Sequence, residues 1–215
     1  MKTMPTIKSG IFISLEGSEG VGKTTSLQFI QQYIESKGHQ VLVTREPGGT
    51  PMAEELRDIL LSEREEKVEK YTELLLMFAA RCQHVAQVIK PALERGIWVI
   101  CDRFVDASYA YQGGGRGIDF ARIEQIENFC LQGFKPDLTL LLDMSVEEGI
   151  ARTKKRGAAD RFETEKMEFY ERIRTAYLQR AHKDPKRVSV IDASPSIELV
   201  QKSLIIALES ICSAN

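Results

Sequence analysis

The feature that most constrains this chain is a glycine-rich segment close to the start of the sequence. Its residues are Gly17, Ser18, Glu19, Gly20, Val21, Gly22, Lys23 and Thr24, followed by Thr25. They fit a pattern in which Gly, any four residues, Gly, Lys and Ser or Thr form a phosphate-binding loop. Glycines allow a tight turn that points several N–H groups at one anion, and the helix that follows adds its positive dipole end. Lys23 then reaches the β- and γ-phosphates, and the Thr24 hydroxyl can ligate Mg²⁺. We therefore predict that this segment binds a nucleotide.

The residues around the segment supply the strand and the helix that such a loop requires. Residues 11–15 form a short apolar run typical of a buried strand. Leu27, Ile30, Tyr33 and Ile34 recur at helical spacing within residues 25–36. The pattern therefore lies in the strand–loop–helix setting that its function needs.

Five short apolar runs alternate with helix-like stretches along the chain. The predicted strands cover residues 11–15, 41–43, 98–101, 138–142 and 188–191. This alternation predicts an α/β fold, a doubly wound five-stranded parallel sheet flanked by helices. A chain of 215 residues can bury one sizeable core, so we expect residues 1–215 to form a single domain. Ligands of such sheets collect beyond the carboxyl ends of the strands.

Helical periodicity predicts helices over residues 25–36, 52–61, 72–95, 118–131, 167–181 and 196–211, and another from residue 146. The 72–95 stretch is apolar on more than one side, so it must be buried on more than one side. One side can pack on the sheet, and the other indicates a second partner, such as another copy of the chain. Pro91 is expected to kink or shorten the last turn. The glycine-rich run 113–117 is expected to be a mobile loop.

Composition argues against several classes of protein. The chain has 29 basic and 31 acidic residues and a net charge of −2, so no bulk positive charge indicates a nucleic acid or an anionic membrane as partner. No apolar stretch reaches the length of a membrane span, and we expect no signal peptide. The four cysteines, Cys82, Cys101, Cys130 and Cys212, form no CxxC pair. Scattered thiols suit a reducing cytoplasm better than a secreted protein.

Acidic side chains follow two of the predicted strands. Asp102, next to Arg103, could hold Mg²⁺ or orient an acceptor, and Asp143 has a similar position. Spacing does not decide which of the two serves the metal, and Asp143 suits a helix N-cap at least as well. Arg103 could form an ion pair with Asp102 or clamp a phosphate.

The segment 152–161 carries five basic residues around a flexible centre. A solvated surface loop is the simplest interpretation of such a run. We favour a small lid over residues 152–163, because phosphoryl transfer needs cations around the transferring group and the phosphate-binding loop supplies Lys23 but no arginine. Arg156 and Arg161 are the candidate catalytic cations of this lid, although spacing does not decide which of Arg152, Arg156 and Arg161 contacts phosphate.

Phe78 and Arg81 lie three residues apart on one face of a predicted helix. Phe78 could simply belong to the core, and Arg81 could extend along an apolar helix to solvent. An aromatic face beside a fork of hydrogen-bond donors would also suit a nucleobase, which it could bind by stacking and hydrogen bonding.

Together these segments resemble a known family. The matching segments are the phosphate-binding loop with Glu19, Thr44 to Gly49, Phe78 to Arg81, Asp102 to Phe104, Tyr111 to Gly117, and Arg156 to Arg161. They occur in the order typical of bacterial thymidylate kinases, which are P-loop nucleoside monophosphate kinases. The likeness runs from about Gly10 to Ala193, and the combined set is specific although each later segment alone is weak. One group of that family has an arginine inside the loop, whereas this chain has Gly20 there and resembles the group with a basic lid.

The resemblance implies the reaction of ATP with dTMP to give ADP and dTDP, with Mg²⁺, in a homodimer joined partly through the third helix. Phe78 would stack on thymine, Arg81 would donate to its O4, and Ser108 would face N3 with Gln112 nearby. Tyr111 would pack where a ribose 2′-OH would otherwise lie.

The remaining implied roles concern the sugar, the phosphates and the metal. Glu19 would bind the 3′-OH region, and Arg57 and Arg103 would hold the acceptor phosphate. The substrate site also includes Glu46 and Pro47, and the lid residues Asp160, Phe162 and Glu163 would close over the substrate. Thr24, Asp102 and Glu163 are the implied metal ligands.

Three other functions are rivals for a chain with this phosphate-binding loop. A GTPase switch would need [NT]KxD and DxxG motifs, and the sequence contains neither. A deoxynucleoside kinase shares the loop and an arginine after the third strand. A non-catalytic nucleotide-binding protein could use the long helix to scaffold a partner, although Lys23, Asp102 and the basic lid argue for catalysis.

Overall fold

A parallel sheet organises the computed structural model, which describes residues 10–62, 64–153 and 166–212. The strands are β1 (Phe12–Glu16), β2 (Val41–Arg45), β3 (Trp98–Asp102), β4 (Leu138–Asp143) and β5 (Val188–Asp192). Their order is β2-β3-β1-β4-β5, and each neighbouring pair is parallel. β1 is therefore the central strand; from it the chain passes to the edge strand β2, returns to β3 beside β1, and then adds β4 and β5 on the other side. The predicted doubly wound α/β fold is confirmed.

The connections between the strands are helical. The helices are α1 (Lys23–Ser36), α2 (Pro51–Leu61), α3 (Lys70–His84), α4 (Lys90–Glu94), α5 (Val105–Ser108), α6 (Phe120–Leu131), α7 (Val146–Thr153), α8 (Met167–Lys183) and α9 (Ile197–Cys212). Two π-helical segments cover Val85–Ile89 and Tyr109–Gly115. Among the described residues, no helix has both the length and the apolar character needed to cross a bilayer.

The sheet is covered on both faces because its side chains alternate. From β1, Ile13 and Leu15 point into a core that α1 and α9 complete, for example through Ile30 and Leu204. Phe12 points to the opposite face, where it joins a core built largely from β3, α3, the Val85–Ile89 segment, α4 and α6. Helix α8 packs beside that second core against β4 and the Tyr109–Gly115 segment. The carboxyl ends of the strands are left facing the connecting loops, where ligands of such folds bind.

Two of the predicted segments differ in detail from the structure. The 72–95 stretch is helical as predicted, but Val85–Ile89 widens to a π-helix before α4, where Pro91 lies in the first turn. The expectation of a loop at 113–117 was wrong for residues 113–115, which belong to the largely buried π-helical segment Tyr109–Gly115, whereas residues 116 and 117 follow it outside any helix. Its glycines are required by close packing: a Cβ on Gly114 would lie 2.5 Å from the Arg172 carbonyl oxygen of α8. The glycine content of this segment suggested a flexible loop, but the glycines are needed because α8 leaves no space for larger side chains.

Candidate active site

The phosphate-binding loop curls around the side chain that follows it. The Lys23 Nζ atom, at the start of α1, donates to the carbonyl oxygens of Gly17 at 3.0 Å and Ser18 at 2.9 Å. Gly17, Gly20 and Gly22 have φ values of 140°, 77° and 90°, which L side chains rarely adopt. Burial and the nearby charge of Arg103 lower the pKa of Lys23 from 10.5 to about 8. The loop thus holds the Lys23 ammonium group close to the N-terminus of α1.

Arg103 lies beside this loop at the end of β3. Its guanidinium forms an ion pair with Glu19 and lies 4.7 Å from the centre of the Tyr111 ring. The Tyr111 hydroxyl donates to the same Glu19 oxygen at 2.9 Å. Burial favours the neutral carboxyl, but the charges of Arg103 and Lys23 outweigh it and hold the pKa of Glu19 well below its usual range. Of the two predicted alternatives, the ion pair with Asp102 is therefore wrong, because Glu19 is the carboxylate that Arg103 engages.

Glu16 fixes the backbone beneath Arg103. Arg103 has a φ of 67°, a left-handed conformation that is rare for a residue with a side chain. The Glu16 carboxylate accepts from the Phe104 N–H at 2.7 Å and from the Tyr177 hydroxyl at 2.9 Å. Burial and the Asp106 charge raise the pKa of Glu16 to about 8. Glu16 thus stabilises the turn that aims Arg103 at the loop.

Arg81 forms a second, more deeply buried cationic centre on α3. Its Nε donates to Glu46 at 2.6 Å, Nη1 to the Ser108 hydroxyl at 2.9 Å, and Nη2 to the Phe104 carbonyl at 3.0 Å. The guanidinium also lies 4.8 Å from the centre of the Phe78 ring. Because each nitrogen has a protein partner, the guanidinium plane is fixed.

One cavity of about 220 Å³ connects these groups at the carboxyl ends of the strands. Many of the predicted site residues line it: Glu19, Gly20, Gly22, Lys23, Thr24, Glu46, Pro47, Arg57, Arg81, Asp102, Arg103, Ser108, Tyr111 and Gln112. The fold therefore brings together residues that span β1 to the second π-helical segment. Such a convergence of cations, hydroxyls and amides suits a ligand with phosphates at one end and a polar ring at the other.

Other predicted site residues lie behind this wall. Phe78 is 1% exposed and packs in the core against Arg81, so its stacking on a base stays a prediction. Val21 is also core, and Thr25 is exposed on α1. Asp143 forms two hydrogen bonds with Arg174, at 2.8 and 2.9 Å, which occupies both carboxylate oxygens. The N-cap alternative for Asp143 was wrong, since Ser145 caps α7: its hydroxyl accepts from the Glu148 N–H at 3.3 Å.

Comparisons with known proteins show which family this chain resembles. The family model described as thymidylate kinase matches residues 15–204. A thymidylate kinase of Hahella chejuensis is 57% identical over 198 residues, which is 92% of this chain and 95% of that protein. One of Pseudomonas putida is 54% identical over 196 residues, 91% of this chain and 93% of that protein.

This chain belongs to the thymidylate kinase family. A solved structure agrees, because thymidylate kinase from Ehrlichia chaffeensis matches with a TM-score of 0.76 at 34% identity, over 94% of this chain and 99% of that one. The resemblance inferred from the sequence is thereby confirmed. Five predicted lid residues, Arg156, Asp160, Arg161, Phe162 and Glu163, lie outside the described residues.

Sequence reasoning about the family missed several residues of the site. Arg45, Leu61, Met77 and Ala107 also line the cavity, and Arg45 could have been found because it is the last residue of β2 and directly precedes Glu46. Leu61, Met77 and Ala107 give no signal, since apolar residues on helices usually mark the core. Glu16 could have been noticed as an acidic residue closing an otherwise apolar strand.

Proposed function

We propose that this chain transfers the γ-phosphoryl group of ATP to dTMP, giving ADP and dTDP on the route to dTTP. One observation carries the proposal: the same cavity is lined by Lys23 of the phosphate-binding loop and by the fixed guanidinium of Arg81, with Arg103 in its wall. Donor and acceptor must share such a space, because the attacking and leaving oxygens lie roughly in line with the phosphorus.

On the donor side, the task is mainly to stabilise charge. The acceptor is already a phosphate oxygen, so no general base is needed, and positioning plus electrostatics supply the catalysis. Lys23 is proposed to neutralise charge together with Arg156 and Arg161 from the lid. The loop itself has no space for a further cation, because a Cβ on Gly20 would lie 2.0 Å from the Gly149 carbonyl oxygen. This contact supports the proposal that the additional cations are arginines from outside the loop.

On the acceptor side, the proposed roles follow the chemistry of each side chain. Arg57 and Arg103 hold the acceptor phosphate, and Glu19 and Tyr111 bind the sugar. The base lies against Phe78 and is recognised by Arg81, Ser108 and Gln112. Glu46 and Pro47 line the same region, where Arg57 Nη1 donates to the Pro47 carbonyl at 2.9 Å. Asp160 and Phe162 complete the site from the lid.

The fit of Mg²⁺ rests on Asp102. Its Oδ1 atom is buried and has no hydrogen-bond partner among the described residues, and the side chain lines the cavity together with Thr24. Carboxylate and hydroxyl oxygens are suitable ligands for this hard cation, directly or through water. Asp102, Thr24 and Glu163 are therefore the proposed metal residues. When bound, Mg²⁺ supplies neutralisation of phosphate charge.

The proposal includes a homodimer that works in the cytoplasm. Tyr71 and Leu75 on α3, and Met52 and Ile59 on α2, are large apolar side chains at least 44% exposed. Because α2 and α3 are neighbours, these side chains support a second copy as the partner of this face. Among the described residues, Cys82, Cys101 and Cys130 are free thiols, which suits a reducing compartment.

An acceptor assay tests the proposal against a deoxynucleoside kinase and against binding without catalysis. The purified chain is given ATP and Mg²⁺ with either dTMP or thymidine, and ADP release is followed. We expect turnover with dTMP and little with thymidine. Transfer to thymidine alone would favour the nucleoside kinase, and no turnover with either acceptor would favour a binding protein.

A further inference from the structure

A chain of buried polar side chains lies behind Arg81. The Thr44 hydroxyl and His84 Nε2 are 2.7 Å apart, and His84 Nδ1 is 3.0 Å from Glu46 Oε1. The other Glu46 oxygen, Oε2, accepts from Arg81 Nε at 2.6 Å. This series of hydrogen bonds connects the end of β2 with the Arg81 guanidinium that lines the cavity.

This arrangement leaves Glu46 no freedom. Its two oxygens are divided between His84 and Arg81, and all three side chains are buried, with His84 wholly so. Where the dielectric constant is low, leaving a buried carboxylate without one of its hydrogen-bond partners costs free energy. Removal of one partner therefore changes the contacts that the carboxylate makes with the others. Since Arg81 makes one of those contacts, the orientation of its guanidinium depends on His84.

The loop after β2 holds the His84 ring in place. A Cβ on Gly49 would lie 2.4 Å from the Cδ2 and Nε2 atoms of His84, so the backbone of Gly49 packs directly on the imidazole. The ring is therefore enclosed by the same loop that carries Glu46. Its orientation is set by packing as well as by hydrogen bonds.

The same group of atoms could suggest a metal site, but the charges argue against it. Oxygen, nitrogen and sulfur atoms of Glu46, His84 and Cys101 lie within 4.8 Å of one another. The Glu46 oxygens, however, already accept from Arg81 and His84, and the guanidinium would repel a second cation at this distance. The cluster is better explained as a hydrogen-bond network.

We propose that His84 is a positioning residue of the acceptor site, which acts through Glu46 to fix the plane of the Arg81 guanidinium. This inference rests on the proposed function, in which Arg81 recognises the base. His84 does not line the cavity, so its effect on the acceptor is indirect. The donor site is not in this chain of contacts, because Lys23 bonds to the carbonyls of its own loop.

Two substitutions of His84 with similar side chains distinguish the role of its Nδ1 atom from that of its Nε2 atom. In His84→Asn the amide nitrogen is attached to Cγ, as Nδ1 is, so the donor to Glu46 is kept. In His84→Gln the amide lies one bond farther out, near the position of Nε2, so the link to Thr44 is favoured and the donor to Glu46 is lost. We expect the KM for dTMP to rise roughly tenfold in His84→Gln, the loss of one hydrogen bond to a buried charge. His84→Asn should restore it to within about threefold of wild type.

The KM for ATP is the internal reference in each variant. We expect it to stay unchanged, and kcat to fall less than the acceptor KM rises, because the phosphoryl-transfer groups are untouched. If a His84 variant does not fold, Thr44→Val gives the same comparison by removing the partner of Nε2, with an expected rise in acceptor KM of roughly threefold.

The outcomes separate this inference from the proposed function. Absence of dTMP turnover in the wild-type chain would overturn the proposed function and the role of His84 with it. Normal wild-type turnover with the same acceptor KM in His84→Gln and His84→Asn, or with ATP and dTMP affected equally, would overturn the role of His84 alone.

Discussion

We propose that the donor site depends most on Lys23. Two loop carbonyls hold its ammonium group in place, so the charge is positioned before any substrate binds. A positioned charge needs no rearrangement when negative charge develops on the phosphates, which is why it contributes strongly to rate.

The first prediction concerns removal of that charge. Lys23→Ala should lower kcat/KM about 10²- to 10³-fold, the usual loss for one preorganised donor. A steady-state assay with ATP and dTMP measures it, with thermal unfolding as the control for folding. Activity within about threefold of wild type, the size of effect expected of a residue outside the reaction, would contradict the role given to Lys23.

The second prediction follows from the lowered pKa of Lys23, about 8 in the free protein. As pH rises through that value the ammonium loses its proton, so kcat/KM for ATP should fall above about pH 8. Bound phosphates favour the charged form, so the corresponding limb of kcat should lie at higher pH. Lys23→Arg, whose guanidinium keeps its proton, is the control and should lack the limb. Profiles that coincide for kcat and kcat/KM, or a limb that persists in Lys23→Arg, would rule out Lys23 as its source.

At the scale of elements, the loop and α7 are packed backbone against backbone. Gly20, with a φ of 77°, and Gly149 on α7 leave no space for a Cβ on either side. The position of α7 is therefore tied to the shape of the phosphate-binding loop. The basic segment of the predicted lid follows α7 in the sequence. The helix that contacts the phosphate-binding loop is therefore also the helix that leads into the predicted lid.

Gly20→Ala tests this contact, with Gly38→Ala as a matched control. Both glycines have positive φ, 77° and 88°, but a Cβ on Gly38 meets no atom within 4 Å. Both variants should lose about 1 kcal/mol of stability from the strained backbone, and Gly20→Ala should lose more because its Cβ would also meet the Gly149 carbonyl oxygen. Gly20→Ala alone should also raise the KM for ATP, roughly ten- to hundredfold, because the loop must shift. Thermal unfolding and ATP kinetics measure the two effects, and equal ATP kinetics in the two variants would refute a tight contact.

Several elements could be predicted from the sequence because their signals are local. The phosphate-binding loop, the five strands and the apolar faces of the helices depend on residue types at fixed spacing. The π-helical geometry of Tyr109–Gly115 could not, since it depends on how closely α8 approaches. The links from His84 to Glu46 and from Glu16 to Phe104 join residues 38 and 88 positions apart. Such contacts exist only once the chain has folded.

For the whole molecule, the exposed apolar face of α2 and α3 predicts assembly. Leu75 is 57% exposed on α3, and a charge there would have to be buried in an interface between two copies. Leu75→Glu should therefore convert a dimer to a monomer, as measured by light scattering after size-exclusion chromatography. Ile206→Glu on α9, another exposed apolar position, should leave the mass unchanged. A wild-type monomer, or a dimer that survives Leu75→Glu, would contradict this interface.

We expect the cavity to transfer a phosphoryl group from ATP to a nucleoside monophosphate. The most direct measurement gives the chain ATP labelled in its γ-phosphate, with dTMP and Mg²⁺, and identifies the labelled product by chromatography. We expect label in the β-phosphate of dTDP, and loss of that product in Lys23→Ala. Label that appears only as inorganic phosphate, or that reaches thymidine but never dTMP, would contradict it.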